Sequence, residues 1–382
     1  MTRVLIAGFS ARAAAESAAN AGFAVTAVDA FADLDQHPDV RTVTMPPGTR
    51  FTAGAVARTA QDVECDAVAY LANFENHPPA VEALARGRTL WGNPPEVLRR
   101  VRNPAVLSET LRRRGLKTPV VRLKADTTYE GDDARYVVPG FSRTKEWLLK
   151  PLASGGGRGI RPWKGDALPR GYSLQERIEG TLGSIVFVAA GGRAVPLGLS
   201  RQLVADEAFG ASDFQYCGTI IGDAPFEDAL MADAAELASA AAEEFGLVGV
   251  NGIDFIAQDG VPCAVEVNPR WCASMELVER VYGVSVFGAH AAACADGRLP
   301  DPVARRGPAV IGKAIVFARG DVCVDDPRAW LADRVVRDVP HPGQRISEGS
   351  PICTVFASGA DPAACRAALA ARAQRIYTQL KS

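Results

Sequence analysis

With 382 residues, 48% of them hydrophobic, and a mean hydropathy near zero, the chain can bury several cores and is long enough for roughly two or three domains. Its 42 basic and 44 acidic residues nearly cancel, so bulk charge calls for neither nucleic acid nor an anionic membrane, and small molecules are the expected partners. The eight cysteines stand singly, with no CxxC pair and no zinc-like spacing, which fits a reducing cytoplasm; the N-terminal apolar run is too short for a signal peptide or a membrane span.

In chain order, RVLIAG (3–8), an Ala-rich helical stretch to about Asn20, and FAVTAVD ending at Asp29 read as a β-α-β opening. A further apolar run at DAVAYL (66–71), with helical stretches around 52–62 and 78–86, extends this to a parallel-sheet domain over residues 1–95. Gly8 after the first strand and Asp29 after the second suggest a dinucleotide site. The residues after Gly8 are Phe9, Ser10, Ala11, Arg12 and Ala13, without the further glycines that close approach to a pyrophosphate requires. A tight turn explains Gly8 better.

Two helices broken at Asn103-Pro104 and closed by Gly115 follow. Residues 123–146 are polar and aperiodic, the pattern of a solvated insertion loop. From Trp147 the pattern becomes strand-rich: WLLKPL, YSLQERI, a hairpin turning at Gly191-Gly192, a helix over 225–245, and a second hairpin turning at Asp259-Gly260. A last segment, from about Ala309, has strands at KAIVFA and PICTVFA and a helix over 361–380. The domains expected are 1–95, 96–180, 181–308 and 309–382, the last completing the third, in a mixed α/β and α+β architecture.

Three stretches could carry chemistry. In LLKPLASGGGRGI (148–160), Lys150 ends a strand and Gly155, Gly156, Gly157 and Gly159 follow, so main-chain N–H groups can converge on an anion beside a positive charge. A flexible hairpin tip is the competing reading, and GxxxxGK[ST] is not matched. In SLQERIEG (173–180), alternation puts Gln175, Arg177 and Glu179 on one face and Leu174, Glu176 and Ile178 on the other. Its main chain could serve an adenine edge with Glu179 near a ribose, although taken by itself an ordinary charged edge strand explains it better. In the second hairpin, GIDFIA carries Asp254 and VEVNPR carries Glu266 and Asn268, two apart and so on one face. Three oxygen-bearing side chains among Phe255, Val265 and Val267 are costly to bury without a cation, and magnesium, which shares one or two carboxylates with substrate phosphates, suits them. Arg270, just past Pro269, is placed to hold a phosphate or an oxyanion.

The order of these features, a lysine and glycine loop, QERIEG, a strand aspartate, then EVNPR, resembles that of the ATP-grasp superfamily over nearly the whole chain. The resemblance implies an ATP-grasp fold: a parallel-sheet domain followed by two lobes that close on ATP. It implies phosphate contacts from Lys150 and the loop Ser154 to Gly159, and adenine contacts from Glu176, Arg177 and Ile178. Magnesium (or Mn2+) ligation by Glu266, Asn268 and Asp254, and stabilisation of a reacting acyl phosphate by Arg270, are implied too. KAIVFARGDV and VRDVPHPGQRISEGSPICTVFASG resemble the closing segment of ATP-dependent carboligases related to biotin carboxylase. LSRQLVAD and FQYCGTIIG resemble that branch as well, with Arg201, Gln202 and Tyr216 expected to face the cleft and Arg201 to take part in catalysis.

Three features depart from the pattern. Where many relatives have an Asp-Lys pair whose lysine touches ATP, this chain has Arg102-Asn103-Pro104, so Arg102 is the expected substitute. The ribose-binding glutamate after the hinge is missing from EGTLGS, leaving Glu179, and there is no biotin-carrier lysine motif. The reaction implied is activation of a carboxylate as an acyl phosphate and its capture by an amine, with a small carboxylate and amine as partners; a homodimer is the assembly the resemblance allows. Amino-acid amines such as glutamate are a first candidate, by analogy with relatives that build one-carbon cofactors. The four histidines, at 37, 77, 290 and 341, form no Ser-His or Cys-His arrangement in the sequence. A bicarbonate-using carboxylase, an ATP-binding regulatory module without turnover, and an NAD-dependent oxidoreductase are the rival readings.

Overall fold

The first strand, β1 (Arg3–Ala7), sends alternate side chains into two different cores. Val4 and Ile6 face one and Leu5 and Ala7 the other, the pattern of a parallel strand covered on both faces. The computed structural model describes residues 1–46, 49–123, 146–302 and 309–380; the sequence-predicted insertion loop therefore lies almost entirely outside the described residues. With β1, β2 (Ala24–Val28), β3 (Arg41–Val43), β4 (Ala67–Tyr70) and β5 (Thr89–Trp91) form a parallel sheet in the order β3-β2-β1-β4-β5. Helices α1 (Arg12–Asn20), α2 (Ala53–Thr59) and α3 (Pro78–Ala85) connect its strands.

Helices α4 (Pro95–Val101) and α5 (Pro104–Arg113) meet at the expected break, where the Asn103 side chain accepts from the amides of Ala105 and Val106 and Pro104 takes the first helical turn. A small antiparallel sheet follows, from β6 (Val121–Arg122), β7 (Trp147–Pro151), β8 (Arg161–Pro162) and β9 (Tyr172–Glu176), in the order β6-β9-β7-β8. The glycine loop joins β7 to β8. SLQERIEG is thus not an edge strand: β9 pairs on both sides and ends at Glu176, so the expected alternation stops there.

The second sheet has eight strands. It contains β10 (Thr181–Ala190), β11 (Arg193–Val204), β12 (Tyr216–Ile221), β13 (Gly249–Gln258), β14 (Val261–Asn268) and β15 (Val310–Phe317). After β16 (Val322–Val324) come β17 (Val336–Arg337), β18 (Gln344–Ile346) and β19 (Pro351–Gly359). The order is β14-β13-β10-β11-β12-β15-β19-β17, while β16 and β18 pair separately, so the last 70 or so residues extend the same sheet rather than forming another. Helices α6 (Ala224–Phe245), α7 (Met275–Tyr282), α8 (Val286–Asp296), α9 (Arg328–Ala332) and α10 (Pro362–Thr378) accompany it. Both predicted hairpin turns hold two residues at positive φ, Gly191 and Gly192 at 56° and 75°, Asp259 and Gly260 at 51° and 74°, the twist that joins antiparallel strands tightly.

One apolar core contains Val4 and Ile6 of the parallel sheet together with Val186 and Val188 of the large sheet and Phe287 of α8, so the two sheets share their interior. No helix among the described residues is long and apolar enough to cross a membrane, and all eight cysteines are free thiols.

Candidate active site

The register of β13 against β14 sets the centre of the site. A two-residue turn pairs Gln258 with Val261 and Phe255 with Ala264, and regular continuation would set Asp254 against Val265. Instead Val265 is an extra residue, and Asp254 pairs with Glu266, Ile253 with Val267 and Gly252 with Asn268. Residues directly opposite share a face, so the bulge brings Glu266 and Asn268 to the Asp254 side; without it Glu266 would point the other way.

The resulting cluster is highly connected. Lys150 Nζ donates to Glu266 Oε2 at 2.8 Å and Arg102 Nη1 to Glu266 Oε1 at 2.5 Å. Burial pushes the Glu266 carboxyl up, but the charges of Lys150 and Arg102 outweigh it and hold the group well below the usual carboxylate range. Among the described residues the side chains that donate to Asp254 are neutral, Gln202 Nε2 at 2.7 Å and Asn268 Nδ2 at 2.8 Å with the Ser184 hydroxyl; burial and then the neighbouring Glu266 charge push it up. A buried carboxylate with no cation of its own, opposite a second carboxylate, is a donor set that magnesium fits when phosphates supply the remaining oxygens. Among the described residues no group of three or more His, Cys, Asp or Glu side chains gathers as a self-sufficient metal cage. The Asn268 oxygen, expected to face a cation, here accepts from Arg270 Nη2 at 3.1 Å.

Arg270 is fixed from the parallel-sheet domain. Its Nε and Nη2 both donate to Glu75 Oε1, at 3.0 and 2.9 Å, and Glu75 is 1% exposed. Next to it, Asn76 Oδ1 accepts from Arg102 Nε and Nη2 at 3.1 and 2.9 Å, and Asn76 Nδ2 donates to the Ser154 carbonyl at 3.4 Å. The turn over Phe74–Asn76 therefore holds Arg270, Arg102 and the start of the glycine loop. Sequence reasoning missed Glu75 and Asn76; their only signal is two polar residues after the fourth strand of a parallel sheet, where ligand crevices open.

These groups line a cavity of about 800 Å³. Lys150, Gly156 and Gly157 border it, as do Glu176, Arg177, Ile178 and Glu179, and so do Asp254, Glu266, Asn268 and Arg270. The structure thus brings three separately read stretches to one place. Ser154 and Arg102, with Lys150 and Glu266, line a small adjoining pocket instead, and Gly155 and Gly159 border neither. Competing readings of the glycine loop merge: it is a hairpin connection, but one seated on the large sheet, with the Tyr216 amide donating to the Gly156 carbonyl at 3.1 Å.

One expectation is corrected, and one reading already set aside finds no support. Arg201 does not face the cleft; it is adjacent to Gln202 on β11, so the two point to opposite sides, and Arg201 pairs with Asp223 and lies over the Phe226 ring at 4.7 Å. Gln202 and Tyr216 do line the cavity, and the buried Tyr216 hydroxyl has no partner among the described residues. The dinucleotide reading also fails. A Cβ at Gly8 would lie 2.4 Å from Leu71 Cβ, so Gly8 serves strand packing, and Asp29 is consumed by the amides of Ala11, Phe31 and Ala32.

Against known proteins, residues 103–274 match the family model of the ATP-grasp domain. No functionally curated protein matches the sequence. Among solved structures, an L-amino acid ligase from Bacillus licheniformis is 17% identical with a TM-score of 0.68, covering 100% of this chain and 98% of its own. A biotin carboxylase from Campylobacter jejuni, solved as a β-γ-ATP complex, is 16% identical with a TM-score of 0.70 over 100% and 91% of the two chains. The N5-carboxyaminoimidazole ribonucleotide synthetase purK, solved with ADP, is 16% identical with a TM-score of 0.67 over 99% and 97%. At such identities the likeness is one of fold. Residues 103–274 thus match the ATP-grasp domain, and the chain as a whole has the ATP-grasp fold.

Proposed function

We propose that the protein is an ATP- and magnesium-dependent ligase that activates a carboxylate as an acyl phosphate and transfers the acyl group to an amine. The observation that carries this reading is the convergence on one cavity of two opposed carboxylates, Asp254 and Glu266, with Lys150, Arg102 and Arg270 beside them. Such a cluster is preorganised for a polyanion and for the charge that develops in phosphoryl transfer.

In this reading, the main chain at Glu176 to Ile178 meets adenine, and Gly156 and Gly157 cover the phosphates. Lys150 and Arg102 exchange Glu266 for phosphate oxygens when nucleotide arrives. Asp254 and Glu266 would hold magnesium, which would supply charge neutralisation for the transferring phosphoryl group. A substrate carboxylate oxygen bonds to the γ-phosphorus as the bond to the ADP oxygen breaks. Arg270, held in place by Glu75 and Asn268, lies beside the acyl phosphate oxygens and stabilises the tetrahedral oxyanion formed on amine attack.

The ATP-grasp domain and the neighbours' printed ligands, ADP, magnesium and β-γ-ATP among them, support the nucleotide and the metal. The balanced net charge and free thiols support a cytoplasmic protein acting on small molecules. A phosphate-release screen with ATP, magnesium and pooled carboxylate and amine pairs tests the reading: release is expected only with both partners present. Release that needs bicarbonate and no amine would favour a carboxylase instead.

A further inference from the structure

We propose that Asp338 and Arg12 form the subsite for the amine-bearing substrate, and that this substrate is an α-amino acid or a derivative keeping a free ammonium beside a carbonyl or carboxylate oxygen, with an apolar side chain. This deepens the ligase reading and rests on it.

Both residues line the same cavity as Arg270 and Glu266, in the part bounded by the parallel-sheet domain and the C-terminal strands. A continuous chain of contacts joins them to the centre. The segment after Arg270 leads to Glu276, which accepts from Arg12 Nη1 and Lys313 Nζ, each at 2.7 Å, and Arg12 Nε donates to Asp338 Oδ1 at 2.8 Å.

One atom of each has no hydrogen-bond partner among the described residues. Arg12 is 0% exposed, yet among the described residues its Nη2 has no hydrogen-bond acceptor, a cost on the order of 1–3 kcal/mol for a buried donor, more when charged. Asp338 keeps 24% of its side chain exposed, and among the described residues no donor reaches its Oδ2. A guanidinium N–H and a carboxylate oxygen on two ion-paired residues lining one cavity complement an oxygen and an ammonium on adjacent carbons.

The placement of Asp338 is enforced. Its backbone is left-handed, at φ +55°, and is held there by Asp35, which accepts from the amides of Asp338 and Val339 at 3.2 and 2.8 Å. On the other side, the first turn of α1 borders the cavity through Ser10, Arg12 and Ala13, while the Ala11 amide at the start of the helix is already taken by the Asp29 carboxylate.

The neighbouring wall is apolar. Phe9 is 45% exposed, lines the cavity, and stands edge-to-face with Phe31 and Phe51 at ring distances of 5.1 and 5.3 Å. Together with Trp271 and Ile315 it favours a side chain such as leucine's or phenylalanine's over the glutamate first considered. In the transfer step the amine nitrogen bonds to the acyl carbon as the carbon–oxygen bond to phosphate breaks. The ammonium loses two protons, one leaving on hydrogen phosphate and one to solvent. Asp338 is a positioning residue in this step.

Thermal unfolding of the full chain, titrated with L-leucine, L-phenylalanine, their methyl esters and their N-acetyl forms, tests the subsite. The amino acids and esters are expected to raise Tm and the N-acetyl forms, which lack the ammonium, are not. Asp338→Asn, a residue that tolerates positive φ, should weaken amino-acid binding by about 10- to 100-fold and abolish that discrimination. Equal effects from the N-acetyl forms, no effect from any probe, or unchanged affinity in Asp338→Asn would overturn the proposal. If that variant does not fold, Phe9→Ala decides: phenylalanine affinity should fall about threefold or more, and no change overturns the proposal. ATP with magnesium, titrated in parallel, reports on the ligase reading separately: no shift with ATP counts against that reading, while the amino-acid arm still decides the subsite.

Discussion

Arg270 reaches Glu75 with two of its nitrogens and Asn268 with one of them, so its guanidinium is positioned before any substrate arrives. Glu75 comes from the parallel-sheet domain and Asn268 from the strand that carries Glu266. Catalysis of this kind depends on dipoles fixed in advance, and the fixing residue is as consequential as the fixed one. Glu75→Gln keeps the shape of the side chain and removes the charge partner of Arg270. It is expected to lower kcat by about 10- to 100-fold while leaving ATP affinity within about twofold, because in the proposed reaction Arg270 acts on the acyl group rather than on the nucleotide. Steady-state kinetics beside an ATP titration would check this split; loss of both together would assign Glu75 to folding instead.

At the scale of elements, the glycine loop and α8 carry the clearest consequences. A Cβ at Gly157 would lie 1.8 Å from the Phe214 carbonyl oxygen, and Gly157 has φ +77°, so any side chain there lifts the loop off β12. Gly157→Ala should weaken ATP about tenfold by displacing the phosphate-facing amides, read from a nucleotide titration, with little change in the far-UV spectrum. Elsewhere on the large sheet, His290 of α8 is buried against Gly249, and its Nδ1 accepts from the Val250 amide at 3.0 Å. Burial lowers its pKa to about 4, below the unfolded value near 6.5. Between those values the unfolded chain binds the extra proton, so stability is full above about pH 6.5 and falls as pH drops toward 4, by about 3 kcal/mol in all. Urea unfolding across that window should show the slope in the natural protein and a shallower one in His290→Gln.

The whole molecule works because three chain segments far apart in sequence share one cavity. Much of this was legible in advance. Alternation and turn pairs located the strands and hairpins, since DG and GG turns between apolar runs leave little freedom, and the Asn103-Pro104 break located two helices. The clustering of Lys150, Glu266 and Asn268 was legible from motif order. What the sequence concealed was set by register and by distant contacts. The extra residue Val265, which turns Glu266 toward Asp254, leaves no trace in an alternating run of valines and carboxylates. Arg201 and Gln202 differ only in which way the strand faces. Glu75, Arg12 and Asp338 become site residues only when the parallel sheet docks on the large sheet and the C-terminal strands, contacts that span 195, 264 and 326 positions.

The central claim is that the cavity makes an acyl phosphate from ATP and a carboxylate. Hydroxylamine, a small neutral nucleophile, captures acyl phosphates as hydroxamates and needs no amine subsite. With ATP, magnesium and pooled carboxylic acids, the protein should form hydroxamate and ADP in equal amounts, and Glu266→Gln should reduce both by a factor on the order of 100 or more. ADP formed without hydroxamate, or undiminished hydroxamate from Glu266→Gln, would contradict the assignment.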